Sequence, residues 1–290
     1  MTRQEFIQWA EDRVILLDGA TGSNLRRSGM PVGVCAEQWV LENPRALQDL
    51  QCAYVEAGSQ IVYAPTFSAN RLSLRHYGLE DRVADMNAQL VAVSREAVGG
   101  RALLAGDLTT TGKPLEPMGS LSYQELFDVY CEQIRALSEA GVDLLAAETL
   151  LSVDEAVVAL DAAQSVCDLP IICTLTVEAD GAALFGGTAV EAVTTLQEMG
   201  AAAVGINCSV GPDQLEAVVR SMKAAAHIPI VAKPNAGMPV INDRGEAFYD
   251  MSCEAFSRHM LRLVELGAGV VGGCCGTTPE YIRHLACALR

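Results

Sequence analysis

Short, nearly unbroken apolar runs recur along the chain: VILLDG (14–19), IVYAPTF (61–67), ALLAGDL (102–108), LLAAETL (144–150), PIICTLTV (170–177), AVGINCS (203–209), PIVAKPN (229–235) and GVVGGCCG (269–276). They are rich in Val, Ile and Leu and show little alternation. That pattern predicts strands buried on both faces, as in a parallel sheet. Amphipathic helical patterns lie between them, at 37–57, 80–98, 122–140, 153–167, 189–199, 212–226, 252–266 and 279–289. Ser122 stands three residues before Glu125, the spacing of a capping box. Pro212 and Pro279 suit a first helical turn.

One phrase, Glu-x-Gly, precedes four of the runs and ends at Gly58, Gly141, Gly200 and Gly267. Each glycine stands where a helix must stop before a strand begins, the place of a left-handed C-terminal cap. Eight strand-then-helix units follow one another with no linker rich in proline, serine or charge between them. The expected architecture is one (β/α)8 TIM barrel spanning residues 1–290. An open doubly wound sheet is the alternative, and a count of eight disfavours it.

Composition narrows the partners. The 290 residues are 50% hydrophobic, enough for a core without disulfides or a structural metal. A formal charge of −16 argues against nucleic acid or an anionic membrane surface. The N-terminal run is broken by charges and no apolar run reaches membrane-spanning length, so a soluble, cytoplasmic protein is expected. In a reducing compartment the ten cysteines are not expected to form disulfides. Any clustered pair then reads better as metal-binding or catalytic.

In a barrel of this kind the chemistry sits at the C-terminal ends of the strands. Those ends carry Asp18, Thr66, Asp107, Glu148, Asn207 with Cys208, Asn235, and Cys274 with Cys275. Cys208 ends the sixth run and the cysteine pair ends the eighth, so three sulfurs can converge on one rim. Three thiolates around one ion are a zinc arrangement, and three protein ligands leave the open position of a catalytic site. Glycines 272, 273 and 276 would let neighbouring side chains reach the same metal. Packing of small residues, or a strained vicinal disulfide, are the alternatives. Asp18 and Glu148 could act as acid and base or grip a substrate ammonium. The amides of DGATGSN (18–24) could hold a small carboxylate. Alternation places Val231, Lys233 and Asn235 on one face, towards the barrel interior. A buried Lys233 requires a partner, and Asp107 or Glu148 is expected to supply it.

LLDGATGSNL (16–25), PTFSANRLSLRHYGLED (65–81), GINCSVGP (205–212), PNAGMP (234–239) and GGCCGTTP (272–279) carry a resemblance that runs nearly end to end. The chain resembles the homocysteine S-methyltransferase family, and within it the homocysteine-binding module at the start of cobalamin-dependent methionine synthases. The resemblance implies zinc held by Cys208, Cys274 and Cys275, with Asn235 at a position suspected of binding zinc when substrate is absent. It implies homocysteine's amino group against Asp18 and Glu148. The substrate carboxylate would lie against amides near Gly19 and Ala20, with help from Thr66. Two positions depart from the family pattern: Thr109-Thr110 stand where a Gly-Pro is common, and Lys233 stands where no lysine is expected.

The chemistry follows from charge. A free alkyl thiol is mostly protonated at neutral pH, and the thiolate is the nucleophile. Zinc binding releases that proton, and three anionic sulfurs keep the fourth electron-rich. The bound homocysteine sulfur would then take an activated methyl group and become methionine, with no protein general base. A methyl-corrinoid protein is the favoured donor, with S-methylmethionine or S-adenosylmethionine as alternatives. The 290 residues hold no DxHxxG cobalamin-ligand motif, so a corrin would be carried elsewhere. A non-catalytic zinc- or thiol-binding module is the rival of another class. A zinc hydrolase would want an HxH that is missing.

Overall fold

The computed structural model describes residues 1–241 and 247–290. Eight parallel strands form a ring: β1 (Ile15–Leu16), β2 (Ile61–Tyr63), β3 (Leu103–Thr109), β4 (Leu144–Leu150), β5 (Ile171–Leu175), β6 (Ala203–Cys208), β7 (Ile230–Pro234) and β8 (Ala268–Val271). They pair in chain order, and β8 returns to β1. The seam between β1 and β2 is a single parallel bridge, Leu17 to Ile61. Gln60 reinforces it from both directions. Its backbone amide donates to Leu16 O at 2.7 Å, and its side-chain Oε1 accepts from Leu16 N at 3.0 Å. The predicted (β/α)8 TIM barrel is the observed fold.

Two apolar layers result from the strand alternation. One side of each strand faces inward, where Leu17, Tyr63, Ala105, Ala146, Ile172, Val231 and Val270 pack together. The other side meets the surrounding helices through residues such as Val62, Leu104, Leu145, Cys173, Ile206 and Ala232. A helix absent from the predicted set, Arg3–Asp12, closes the N-terminal end of the barrel. Thr2 and Glu5 cap it reciprocally, and Phe6 drives fully buried into the interior layer. Its charged flanks hide this role from a hydrophobicity pattern.

The helix-stop phrase performs as expected: Gly58, Gly141, Gly200 and Gly267 all have positive φ, from 81° to 114°. Ser122 forms the capping box with Glu125 ahead of helix Tyr123–Glu139. Other boundaries shift for local reasons. The pattern at 37–57 divides into helices Ala36–Glu42 and Pro44–Ala57 because Pro44 has no amide proton to continue the ladder. The 80–98 and 212–226 patterns each open with a 3₁₀ turn, Glu80–Arg82 and Pro212–Gln214. A short antiparallel pair, Val240–Ile241 with Ala247–Phe248, follows β7.

The largest departure is in the last run. β8 ends at Val271, so GGCCG is a turn rather than strand. It remains tied to its neighbours: Gly272 N donates to Ala232 O, Gly273 N to Asp18 O, and Cys274 N to Pro234 O at 2.7 Å. No described helix is long and apolar enough to cross a membrane.

Candidate metal centre and substrate pocket

Two elements bring the sulfurs together. Cys208 closes β6, and the turn after β8 presents Cys274 and Cys275. The three Sγ atoms all lie within 4.8 Å of one another. Cys208 is 3.2 Å from Cys274 and 3.7 Å from Cys275. Tetrahedral zinc–sulfur bonds of about 2.3 Å put thiolates about 3.8 Å apart, so the cluster is close to coordination spacing. All ten cysteines are free, but among the described residues this is the one group of three metal-type side chains so arranged.

The backbone is bent to achieve this. Cys208 and Ser209 have φ of 55° and 61°, a left-handed conformation that costs a β-substituted residue on the order of 1 kcal/mol each. Gly276, at φ 84°, could not carry a side chain: a Cβ there would lie 2.4 Å from the Tyr249 ring. Thr277 locks the turn from behind. Its hydroxyl donates to Cys274 O at 2.8 Å and accepts from Ala20 N at 3.1 Å.

The sulfurs share charge unequally. Hydrogen bonds from Cys208 and Cys274, with a further one from Tyr249, hold Cys275 down at about 3. The same contacts, together with burial, push Cys208 well above its ordinary value. For Cys274 the bond to Cys208 pulls down, but the bond to Cys275 and burial prevail and raise it to about 11. The sulfur contacts run from Cys274 to Cys208 and between Cys208 and Cys275. A soft divalent cation would replace the thiol protons, and this donor set fits zinc. Asn235 adds an oxygen: its Nδ2 donates to Ser209 O at 3.1 Å, while its Oδ1 is buried with no partner among the described residues.

Asn207 links the sulfurs to the acidic part of the site, a role the sequence reading did not assign it. Its Oδ1 accepts from Thr149 N at 2.7 Å and Thr174 Oγ1 at 2.9 Å. Its Nδ2 donates to Thr149 Oγ1 at 2.8 Å and lies 4.0 Å from Cys274 Sγ. Thr149 is itself left-handed, φ 61°, directly after Glu148. Thr109 pins the same segment from the other side, its hydroxyl donating to Glu148 O at 2.8 Å.

The cysteines open onto a cavity of ≈ 350 Å³ whose lining includes Gly19, Ala20, Asp107, Glu148, Thr149 and Lys233. Lys233 is the only buried basic side chain among the described residues, 3% exposed. Its Nζ lies 3.4 Å from Glu148 Oε2 and 3.7 Å from Asp18 Oδ1, and 4.7 Å from the centre of the Tyr63 ring. The expected partner Glu148 is therefore present, and Asp18 is the second. No ion pair joins Lys233 to Asp107 among the described residues. Burial drives Asp18 and Glu148 each up to about 7, against the pull of Lys233. Burial, then repulsion from Glu148, push Asp107 well above the carboxylate range. Burial would discharge Lys233, but Glu148 and Asp18 outweigh it and keep the ammonium protonated.

Three expected substrate contacts are otherwise engaged. Thr66 is fully buried and clamps the Asp107 backbone: its hydroxyl donates to Asp107 O at 2.7 Å and accepts from Asp107 N at 3.0 Å. Asp18 Oδ2 accepts from Tyr63 N at 2.8 Å, and Asp18 is not part of the cavity lining. Of the two amides, Ala20's is spent on Thr277, whereas Gly19's makes no hydrogen bond among the described residues.

The family model for homocysteine S-methyltransferase matches residues 15–289, a span that contains every one of these groups. The chain belongs to the homocysteine S-methyltransferase family. It is 30% identical over 294 residues to a methionine synthase of Mycobacterium tuberculosis and 28% identical over 309 residues to one of Mycobacterium leprae. Those alignments cover 96% and 98% of this chain but 25% of each relative, so the chain spans about a quarter of their length. Among solved structures, the metallated form of the homocysteine methyltransferase MmuM from Escherichia coli superposes with a TM-score of 0.81 at 22% identity. That alignment covers 97% of this chain and 99% of MmuM. The likeness supports the barrel.

Proposed function

We propose that this homocysteine S-methyltransferase family member uses zinc at Cys208, Cys274 and Cys275 to methylate homocysteine, giving methionine. The observation that carries the reading is the convergence of three sulfurs on a cavity that buried carboxyl groups also line. Zinc bound there would supply a Lewis-acidic centre that keeps the acceptor sulfur as a thiolate at neutral pH.

The chain's own residues do the rest. The three cysteines, fully deprotonated around a divalent ion, leave one excess negative charge that favours an electron-rich fourth sulfur. Asn235 Oδ1 is a neutral donor suited to the fourth position before substrate arrives. Glu148 faces the cavity and suits the substrate ammonium, the role it shares with Asp18 in the family resemblance. Gly19's amide suits the carboxylate. Among the described residues no histidine lines the cavity, and a sulfur already held as thiolate needs no general base.

A methyl-corrinoid protein is the donor we favour. Val32, Met118, Leu184, Met238, Val240 and Phe248 are large apolar residues left exposed, up to 80% for Val32. All lie on connections that follow barrel strands, the side on which the cavity opens. A small sulfonium donor needs no apolar rim, whereas a macromolecular one gains from covering it. The ten free thiols suit a reducing compartment such as the cytoplasm. A screen of the zinc-loaded protein against a methyl-corrinoid protein, free methylcobalamin, S-methylmethionine and S-adenosylmethionine, scored by methionine formed, tests the assignment. Methionine from the corrinoid protein is expected. Turnover with a sulfonium donor alone would overturn the donor.

A further inference from the structure

Three buried carboxyl groups, Asp18, Asp107 and Glu148, share the end of the barrel with one buried ammonium, that of Lys233. The lysine divides them. Asp18, 1% exposed, is engaged by Lys233 and by the Tyr63 amide and does not reach the cavity. Asp107 reaches it: it lines the cavity, is 4% exposed, and its Oδ1 is buried with no partner among the described residues. Asp107 and Glu148 lie on adjacent strands and point the same way, because Asp107 is level with Ala146 and Thr109 with Glu148. The Asp107 backbone is immobilised by Thr66 and by Gln133, whose Nε2 donates to Thr66 O at 2.7 Å. A carboxyl group held this firmly in the lining of the cavity that the three sulfurs also line is short of one hydrogen-bonding partner.

We propose that Asp107 and Glu148 together form the ammonium-binding pair for the acceptor amino acid, and that Lys233 withdraws Asp18 from this task. Asp107 is then a specificity-determining residue, and Lys233 a positioning residue that substitutes a built-in cation for part of the substrate's contact. The inference rests on the zinc–homocysteine reading, since homocysteine's sulfur at the cysteines directs its ammonium towards the acidic wall.

The test compares two thiols in the zinc-loaded protein by isothermal titration at pH 8: homocysteine, and 4-sulfanylbutanoate, which lacks only the amino group. The readout is the ratio of their dissociation constants. Asp107→Asn is expected to weaken homocysteine by roughly 10- to 100-fold, the worth of a charged hydrogen bond, while leaving the analogue within about threefold. Lys233→Met removes a positive charge beside the incoming ammonium and is expected to move the ratio the other way, in favour of homocysteine. If Asp107→Asn weakens both thiols equally, Asp107 is structural and the proposal is wrong. A Lys233→Met ratio that is unchanged or shifted towards the analogue also overturns it. Should Lys233→Met fail to fold, the Asp107→Asn ratio decides alone. If neither thiol binds the zinc-loaded wild type, the zinc–thiol reading falls, and the inference with it.

Discussion

Replacing Lys233 with methionine removes the one buried cation of the site while nearly preserving its volume. The ammonium lies 3.4 Å from Glu148 and 3.7 Å from Asp18. At an effective dielectric near 20, unit charges at such separations attract by about 4–5 kcal/mol per pair, offset in part by repulsion between the carboxylates. Loss of one partner from a buried ion pair costs about 3–5 kcal/mol, a large part of the stability of an ordinary domain. The cost depends on pH. A carboxyl group whose folded pKa is raised binds its proton more tightly folded than unfolded. Stability therefore falls as pH climbs from the unfolded value to the folded one. For Asp18 and Glu148 that window already runs from their ordinary values of 3.8 and 4.5 to about 7. Lys233 is the chief influence holding both down, so its removal extends the window upward and the extra loss accumulates above pH 7. Urea denaturation of wild type and variant, in the same metal state, should show a deficit of about 3–5 kcal/mol at pH 8.5. At pH 5.5 both carboxyl groups carry protons in both proteins, and the deficit should shrink below about 1 kcal/mol or reverse. A deficit equal at the two pH values, or below about 1 kcal/mol at pH 8.5, would refute the buried-charge reasoning.

Other consequences are open to direct measurement. Cys208→Ala should lose stoichiometric zinc by metal analysis and lose methyl transfer with it, and full zinc content in that variant would exclude the three-cysteine site. Asn207→Ala removes four hydrogen-bonding contacts between Thr149, Thr174 and the Cys274 region, and should weaken zinc affinity roughly 10- to 100-fold in competition with a chelator. The doubly charged rim variant Met118→Glu with Leu184→Glu should slow transfer from a methyl-corrinoid protein at least several-fold while sparing free methylcobalamin. Equal loss with both donors would argue against a docking role for the rim.

Much of the candidate site is legible in the sequence, because the barrel's chemistry collects where buried strands end. Cys208, the cysteine pair and Glu148 are exceptions to otherwise apolar runs, and exceptions in a periodic pattern are easy to see. Lys233 was legible for the same reason: a cation in a continuous apolar run must be buried and must be paired. What could not be read was the division of labour among the carboxyl groups. Asp18, Asp107 and Glu148 look equivalent along the chain, and only their three-dimensional placement shows one turned to the lysine and another to the cavity. Thr66 carries a similar ambiguity, since a hydroxyl at a strand end serves a ligand or a neighbouring backbone equally well. The left-handed backbone at Thr149, Cys208 and Ser209 carries no glycine to announce it. Asn207, which holds the Thr149 turn in place, is adjacent to Cys208 in GINCS and could have been suspected from that position alone. The N-terminal helix escaped because one buried face among charges is too short to register as a pattern.

In the proposed centre, three cysteines would hold a metal whose open position takes homocysteine's sulfur. Cobalt(II) substituted for zinc makes that position visible, because each thiolate bound to it contributes ultraviolet charge-transfer absorption and tetrahedral geometry gives intense visible bands. Titration of the cobalt protein with homocysteine should increase the charge-transfer absorption by about one thiolate's share at one equivalent, with release of one proton to the buffer. An unchanged cobalt spectrum at saturating homocysteine, with no proton released, would contradict the account.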